Sequence, residues 1–174
     1  INAGSDGIKS TYDTDTTKGN VIIEGGNITI KASNDGIQAE NILVINDGTI
    51  NIKTNNGAAD TTQTHIDNMD MGRGGFGFNN NKTTTTTDDT SESRKGIKAG
   101  NMLIINDGDI TIDSDDDSVH CNSVIYIYGG TINAATGDDG VHADDLLTVN
   151  GGTINITQCY DCLLYTSDAA DDLI

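Results

Sequence analysis

The chain has 174 residues, with 24 Asp against 3 Glu, 23 Ile, 23 Thr, 21 Gly, and neither Pro nor Trp. Asp is a poor helix-interior residue and a good turn residue, whereas Ile and Thr favour strands, so this composition excludes a helical bundle and predicts an all-β domain with Asp- and Gly-marked turns. A net charge of −18 and a pI of about 4.1 exclude nucleic acid and anionic membrane surfaces as partners and leave cations as natural ones.

The apolar residues recur with a fixed order. A first coil carries Ile8, Val21, Ile23, Ile28 and Ile30; a second carries Ile37, Leu43, Ile45, Ile50 and Ile52. The same set returns as Ile97, Leu103, Ile105, Ile110 and Ile112, then as Val119, Ile125, Ile127, Ile132 and Ala134, and last as Val141, Leu147, Val149, Ile154 and Ile156. A small residue follows the first apolar position each time: Ser10, Ala39, Ala99, Cys121 and Ala143. Cys121 therefore reads as a small buried hydrophobe. The glycine of each Gly-x-Ile-x-Ile segment falls at 26, 48, 108, 130 and 152, spaced 22, 60, 22 and 22.

A 22-residue period with three short period-two strands leaves no room for a helix. It predicts a right-handed parallel β-helix of about five coils, in which equivalent residues stack about 4.8 Å apart. Turn residues agree: Glu24, Asn46, Asn106, Tyr128 and Asn150 form one column, and Asn tolerates tight-turn dihedrals and can bond to its stacked copy.

Two spacings exceed the period: Ile8 to Ile37, at 29, and Gly48 to Gly108, at 60. The excess marks a short insertion near Thr11 to Thr17 and a long one at about 55–94, whose Gly-, Asn- and Thr-rich composition predicts a low-complexity loop. The repeats are thus expected over residues 1–161, and residues 162–174 break the pattern and are expected to be a non-native tail. Three Cys, an odd number, predict no paired framework and no metal-binding knuckle. No apolar run approaches the roughly 18 residues of a membrane span, and the start at Ile1 in mid-pattern predicts a fragment of a longer protein, expected to be a monomer.

Acidic residues gather at the turn before Ile8 and its equivalents. Asp116 and Asp117 lie one period before Asp138 and Asp139, so the two pairs should sit one above the other. Carboxylates about 4.8 Å apart repel by roughly 1 kcal/mol in water and several-fold more at lower effective dielectric. Four of them invite a cation, and Ca²⁺ suits oxygen donors in irregular geometry. Asp116, Asp117, Asp138 and Asp139 are the expected metal ligands, with Asp144 beside them; the competing role for such Asp is capping turns through backbone N–H groups, which is expected for Asp6 and Asp35. The neighbouring outward column reads Lys9, Gln38, Lys98, His120 and His142, of which Lys98, His120 and His142 are the candidates for contacting a sugar. No serine-histidine-aspartate order, phosphate loop or paired Glu is present.

The segments Asp116-Asp117-Ser118-Val119-His120-Cys121 and Asp138-Asp139-Gly140-Val141-His142-Ala143, each followed by the Gly-x-Ile-x-Ile strand, resemble the carbohydrate-binding right-handed β-helix family of clostridial cell-surface proteins, similar in fold to family 9 pectate lyases. The resemblance spans about residues 2–161. It implies an extracellular or cell-surface location, calcium, and binding of plant cell-wall polysaccharide, either an acidic polymer such as polygalacturonate or cellulose. In the lyases Asp residues from neighbouring coils hold calcium, and Asp116, Asp117, Asp138 and Asp139 match that cluster; the catalytic Lys lies on a later coil that the tail replaces. A carbohydrate-binding module is therefore the first expectation, a calcium-dependent pectate-lyase-like enzyme the second, and an ice-binding or adhesin-type repeat protein the third.

Overall fold

The computed structural model describes residues 1–12, 14–15, 17–58 and 93–165. A two-residue strand, β1 (Asn2–Ala3), precedes five coils of three strands each. The first coil comprises β2 (Ile8–Ser10), β3 (Val21–Ile23) and β4 (Asn27–Ala32); the second β5 (Ile37–Ala39), β6 (Ile42–Ile45) and β7 (Thr49–Thr54). Coil three holds β8 (Ile97–Ala99), β9 (Met102–Ile105) and β10 (Asp109–Ser114), and coil four β11 (Val119–Cys121), β12 (Val124–Ile127) and β13 (Thr131–Thr136). Coil five holds β14 (Val141–Ala143), β15 (Leu146–Val149) and β16 (Thr153–Gln158), followed by β17 (Leu163–Tyr165).

Each strand pairs in parallel with its equivalent one coil away, so three sheets run the length of the stack: β1-β4-β7-β10-β13-β16, β2-β5-β8-β11-β14-β17, and β3-β6-β9-β12-β15. This is the parallel β-helix that the period predicts. Register follows the sequence columns: Ile28, Ile50, Ile110, Ile132 and Ile154 are successive partners, as are Ile8, Ile37, Ile97, Val119 and Val141. The inner residues of coils two to four are fully buried, with Ile37, Leu43, Ile97, Leu103, Ile110 and Ile125 at 0% exposure. Burial weakens at the ends, where Val21 and Leu147 are half-buried and Val149 is exposed, because an end coil is covered from one side only. Cys121 is free and buried in this core.

The glycine of Gly-x-Ile-x-Ile is required twice over. Gly48, Gly108, Gly130 and Gly152 have φ of 127°, 115°, 82° and 88°, in the region that side chains avoid. A Cβ on Gly108 would also lie 2.9 Å from the Gly48 carbonyl oxygen of the preceding coil. Turn side chains stack as well: Asn46 Nδ2 donates to Glu24 Oε2 (2.6 Å) and Asn106 Nδ2 to Asn46 Oδ1 (2.7 Å). A second ladder, absent from the sequence reading, links Asn101 Nδ2 to Asn41 Oδ1 (2.8 Å) and Asn41 Nδ2 to Asn20 Oδ1 (2.9 Å).

Three expectations about the chain's ends and insertions meet the structure here. The pairing of Val141 with Leu163 continues the second sheet beyond residue 161, where Cys162 stands at the position of the coil's glycine. Cys159 and Cys162 form a disulfide, so the odd cysteine count concealed one local pair. Most of the long insertion (59–92) and the end of the tail (166–174) lie outside the described residues. The insertion's two stems do not: Asn55 Nδ2 donates to Asp115 Oδ2 (2.9 Å), and Arg94 Nη1 donates to the same oxygen (2.8 Å).

Candidate functional site

The corner between the first and second sheets places one residue per coil two positions before the inward column of the second sheet. These are Asp6, Asp35, Lys95, Asp117, Asp139 and Asp161. Each carboxylate accepts the backbone N–H of the equivalent residue on the next coil: Asp35 N–H to Asp6 Oδ1 (3.2 Å), Lys95 N–H to Asp35 Oδ1 (2.8 Å), Asp139 N–H to Asp117 Oδ1 (3.0 Å), and Asp161 N–H to Asp139 Oδ1 (3.2 Å). The column is therefore a capping ladder, broken between Lys95 and Asp117, whose N–H goes to Asp116 Oδ1 (2.9 Å). Asp6 and Asp35 have the capping role expected of them, and Asp117 and Asp139 have it too.

Coil three breaks the run of acids. Lys95, which sequence reasoning passed over, donates to Asp116 Oδ1 (2.9 Å) and Asp117 Oδ2 (2.7 Å) with its side chain 14% exposed. Burial works against its charge, but the two carboxylates outweigh that and hold its pKa above the ordinary lysine value. Arg94 Nη1 pairs with Asp115 Oδ2 (2.8 Å), whose carboxylate is fully buried. The signal for both lay in the columns: Arg94 and Lys95 align with Asp116 and Asp117 but sat at the assigned edge of the loop.

The outward residue three positions later leans back on this ladder in coils one, four and five. Lys9 Nζ lies 2.7 Å from Asp6 Oδ2, His120 Nδ1 2.8 Å from Asp117 Oδ2, and His142 Nδ1 3.3 Å from Asp139 Oδ2 and 3.7 Å from Asp117 Oδ2. The His120 and His142 rings stack edge to face with centroids 4.8 Å apart. Lys98 points elsewhere, toward Ser93 Oγ (3.4 Å), which itself donates to Asp35 (2.8 Å).

The acids respond differently to this setting. Burial alone would raise the Asp117 pKa, but the imidazoles of His120 and His142 facing it and the charge of Lys95 carry it well below the ordinary carboxylate range. Asp139 is pushed up, first by burial and then by repulsion from Asp117. Asp35 is pushed up by burial, against hydrogen bonds from Ser93 and Lys95 N–H. The His142 pKa is raised, chiefly by its bond to Asp117.

Of the five acids expected to bind metal, Asp116, Asp117 and Asp138 converge, each offering an oxygen within 4.8 Å of the others. Asp139 lies beside them at His142, and Asp144 sits beyond that ring, 3.5 Å from His142 Nε2. Of the three expected sugar contacts, His120 and His142 belong to this cluster and Lys98 to the Asp35 side of it. On the third sheet, the Tyr126 and Tyr128 rings lie nearly parallel with centroids 6.2 Å apart, and Tyr128 is exposed.

Fold and site together define a parallel β-helical module with a cation-balanced acidic corner. No helix among the described residues is long and apolar enough to cross a membrane. The chain belongs to the family described as carbohydrate-binding domain-containing proteins, whose model matches residues 1–140. That membership supports carbohydrate binding and a polysaccharide partner. No curated protein and no solved structure matches the chain.

Proposed function

We propose that this module binds acidic cell-wall polysaccharide at the corner of coils four and five, outside the cell, with calcium held by Asp116, Asp117 and Asp138. The observation that carries the reading is the convergence of those three carboxylates. Their donor set is all oxygen, which suits a hard cation and offers nothing to a thiophilic one. Three negative charges against the single charge of Lys95 leave a surplus that a divalent ion neutralises. When bound, calcium supplies the positive charge that a uronate carboxylate needs on a surface of net charge −18. Asp139 holds His142 at the rim, Asp144 holds the far side of that ring, and Lys98 offers a further cation along the outward face of the second sheet.

The test is polygalacturonate binding by affinity electrophoresis with calcium and with chelator, for the wild-type chain and for Asp116→Asn/Asp138→Asn. Binding should need calcium and weaken at least tenfold in the double variant. Chelator-resistant binding at wild-type strength would overturn the bridging role, and an unsaturated product absorbing in the ultraviolet would identify a lyase instead.

A second reading rests on Tyr126 and Tyr128, whose near-parallel rings offer apolar faces on which a neutral glucan stacks. Tyr128→Ala should then reduce retention on cellulose without affecting retention on polygalacturonate.

A further inference from the structure

His120 has a geometry that its neighbours do not satisfy. The residue is 8% exposed, and Nε2 lies 2.9 Å from Asn122 Oδ1, an acceptor, so Nε2 carries the proton in the neutral ring. Nδ1 is then the lone-pair nitrogen. It is buried and makes no hydrogen bond, although Asp117 Oδ2 stands 2.8 Å away, because that approach lacks the angle a hydrogen bond requires. A lone pair facing a carboxylate oxygen at that distance is repulsive unless a positive centre is shared between them, and Lys95 Nζ, 2.7 Å from that oxygen, makes no hydrogen bond to the imidazole.

His142 repeats the arrangement one coil on. Its Nε2 lies 3.5 Å from Asp144 Oδ1, and its Nδ1 lies between Asp139 Oδ2 at 3.3 Å and the same Asp117 oxygen at 3.7 Å. Two imidazoles thus aim Nδ1 at one carboxylate, and each has an oxygen beside its other nitrogen. That outer pairing of a ring N–H with an amide or carboxylate oxygen is what orients histidines on metals.

We infer that Asp117, His120 and His142 form a binding site for a borderline divalent transition metal, zinc foremost, separate in donor set from the all-oxygen cluster of Asp116, Asp117 and Asp138. One donor atom from each of the three lies within 4.8 Å of the other two. Two atoms bound about 2.05 Å from a tetrahedral centre sit ~3.3 Å apart, and the Asp117-to-imidazole distances of 2.8 and 3.7 Å bracket that value. Nitrogen donors select zinc, copper or nickel over calcium and magnesium. Lys95 shares Asp117 Oδ2 but keeps its own bond to Asp116 Oδ1, so the carboxylate can turn toward the metal without leaving the ammonium unpartnered. Asp139 Oδ2 lies 3.3 Å from His142 Nδ1, and that carboxylate, a water or a sugar hydroxyl would supply the fourth donor.

The experiment uses the untagged, disulfide-bonded chain titrated with zinc, and with cobalt as a spectroscopic probe. Wild type should bind one zinc and give the intense visible bands of low-coordinate cobalt. His120→Gln and His142→Gln should each abolish those bands, and Asp144→Asn should weaken zinc binding roughly 10–100-fold. If His120→Gln fails to fold, as judged by its metal-free thermal transition, the more exposed His142→Gln carries the test. Zinc affinity unchanged in His142→Gln, or no cobalt bands in wild type, would overturn the inference. Because the two sites share Asp117, calcium-dependent polygalacturonate binding is read in zinc-free buffer, so failure of that reading and failure of the zinc site are distinguishable.

Discussion

Lys95 Nζ lies 2.7 Å from Asp117 Oδ2, yet Lys95 occupies in coil three the position that Asp117 occupies in coil four. One member of an acidic column has been exchanged for a base, and the exchange is what lets two buried carboxylates stand beside it. Taking that ammonium away leaves Asp117, 2% exposed, with a charge that its histidines balance only when protonated.

Lys95→Met should therefore destabilise the metal-free fold by about 3 kcal/mol, the usual cost of removing one partner from a buried pair. Calcium should restore part of the loss and raise the melting temperature more in the variant than in wild type, because it takes over the missing charge. Thermal unfolding with calcium and with chelator measures both. Equal calcium shifts in the two proteins would show that Lys95 and the ion do not act on the same carboxylates.

Core positions should scale with their place in the stack. Ile110 is completely buried between Ile50 and Ile132, whereas Ile154 is half-buried at the last coil. Ile110→Ala should cost about 2–5 kcal/mol and Ile154→Ala distinctly less, since an end position can collapse onto the cavity. Chemical denaturation of both variants gives the comparison directly.

The fold was legible because each inward column is a repeat of one residue type, and Ile28, Ile50, Ile110, Ile132 and Ile154 announce their pairing by spacing alone. The acidic corner was legible as a place: Asp116, Asp117 and Asp138 meet where the period puts them. What the period could not show is which neighbour each carboxylate chooses. Arg94 and Lys95 break the acidic column and directly follow residues of low-complexity composition, so their identity pointed to the loop while their register pointed to the site. Lys98 shows the converse, since its column predicts a place beside the histidines, but Ser93 and Asp35 draw its side chain to the other side of coil three.

Two glycines of the same motif separate strain from close approach. Gly26 has φ of 102° and open space where a Cβ would stand, whereas Gly108 has φ of 115° and a carbonyl oxygen 2.9 Å away. Gly26→Ala should cost roughly 1–2 kcal/mol from backbone strain. Gly108→Ala should cost more, because coils three and two must also separate locally. Equal losses in equilibrium unfolding would mean that strain alone sets the requirement.

The stability of the metal-free module should depend on pH through three groups with different signs. Asp117 has its folded pKa depressed, so its contribution is present above the ordinary carboxylate value of 3.8 and is lost as pH falls through the depressed one. Asp139 is raised, so the folded state keeps its proton longer and stability declines as pH climbs from 3.8 through the raised value. His142 is raised above 6.5 by its bond to Asp117, with burial opposing and the charges of Asp117, Asp139 and Asp144 adding to the rise. Its imidazolium therefore contributes fully below about pH 6.5, and the contribution vanishes as pH rises through the folded pKa. With chelator present, the wild-type melting temperature should fall from about pH 6.5 upward. His142→Gln should start lower and lose that slope, and a histidine-proton NMR titration should place the His142 midpoint above 6.5. A flat wild-type profile across neutral pH would show that the Asp117–His142 contact carries no charge.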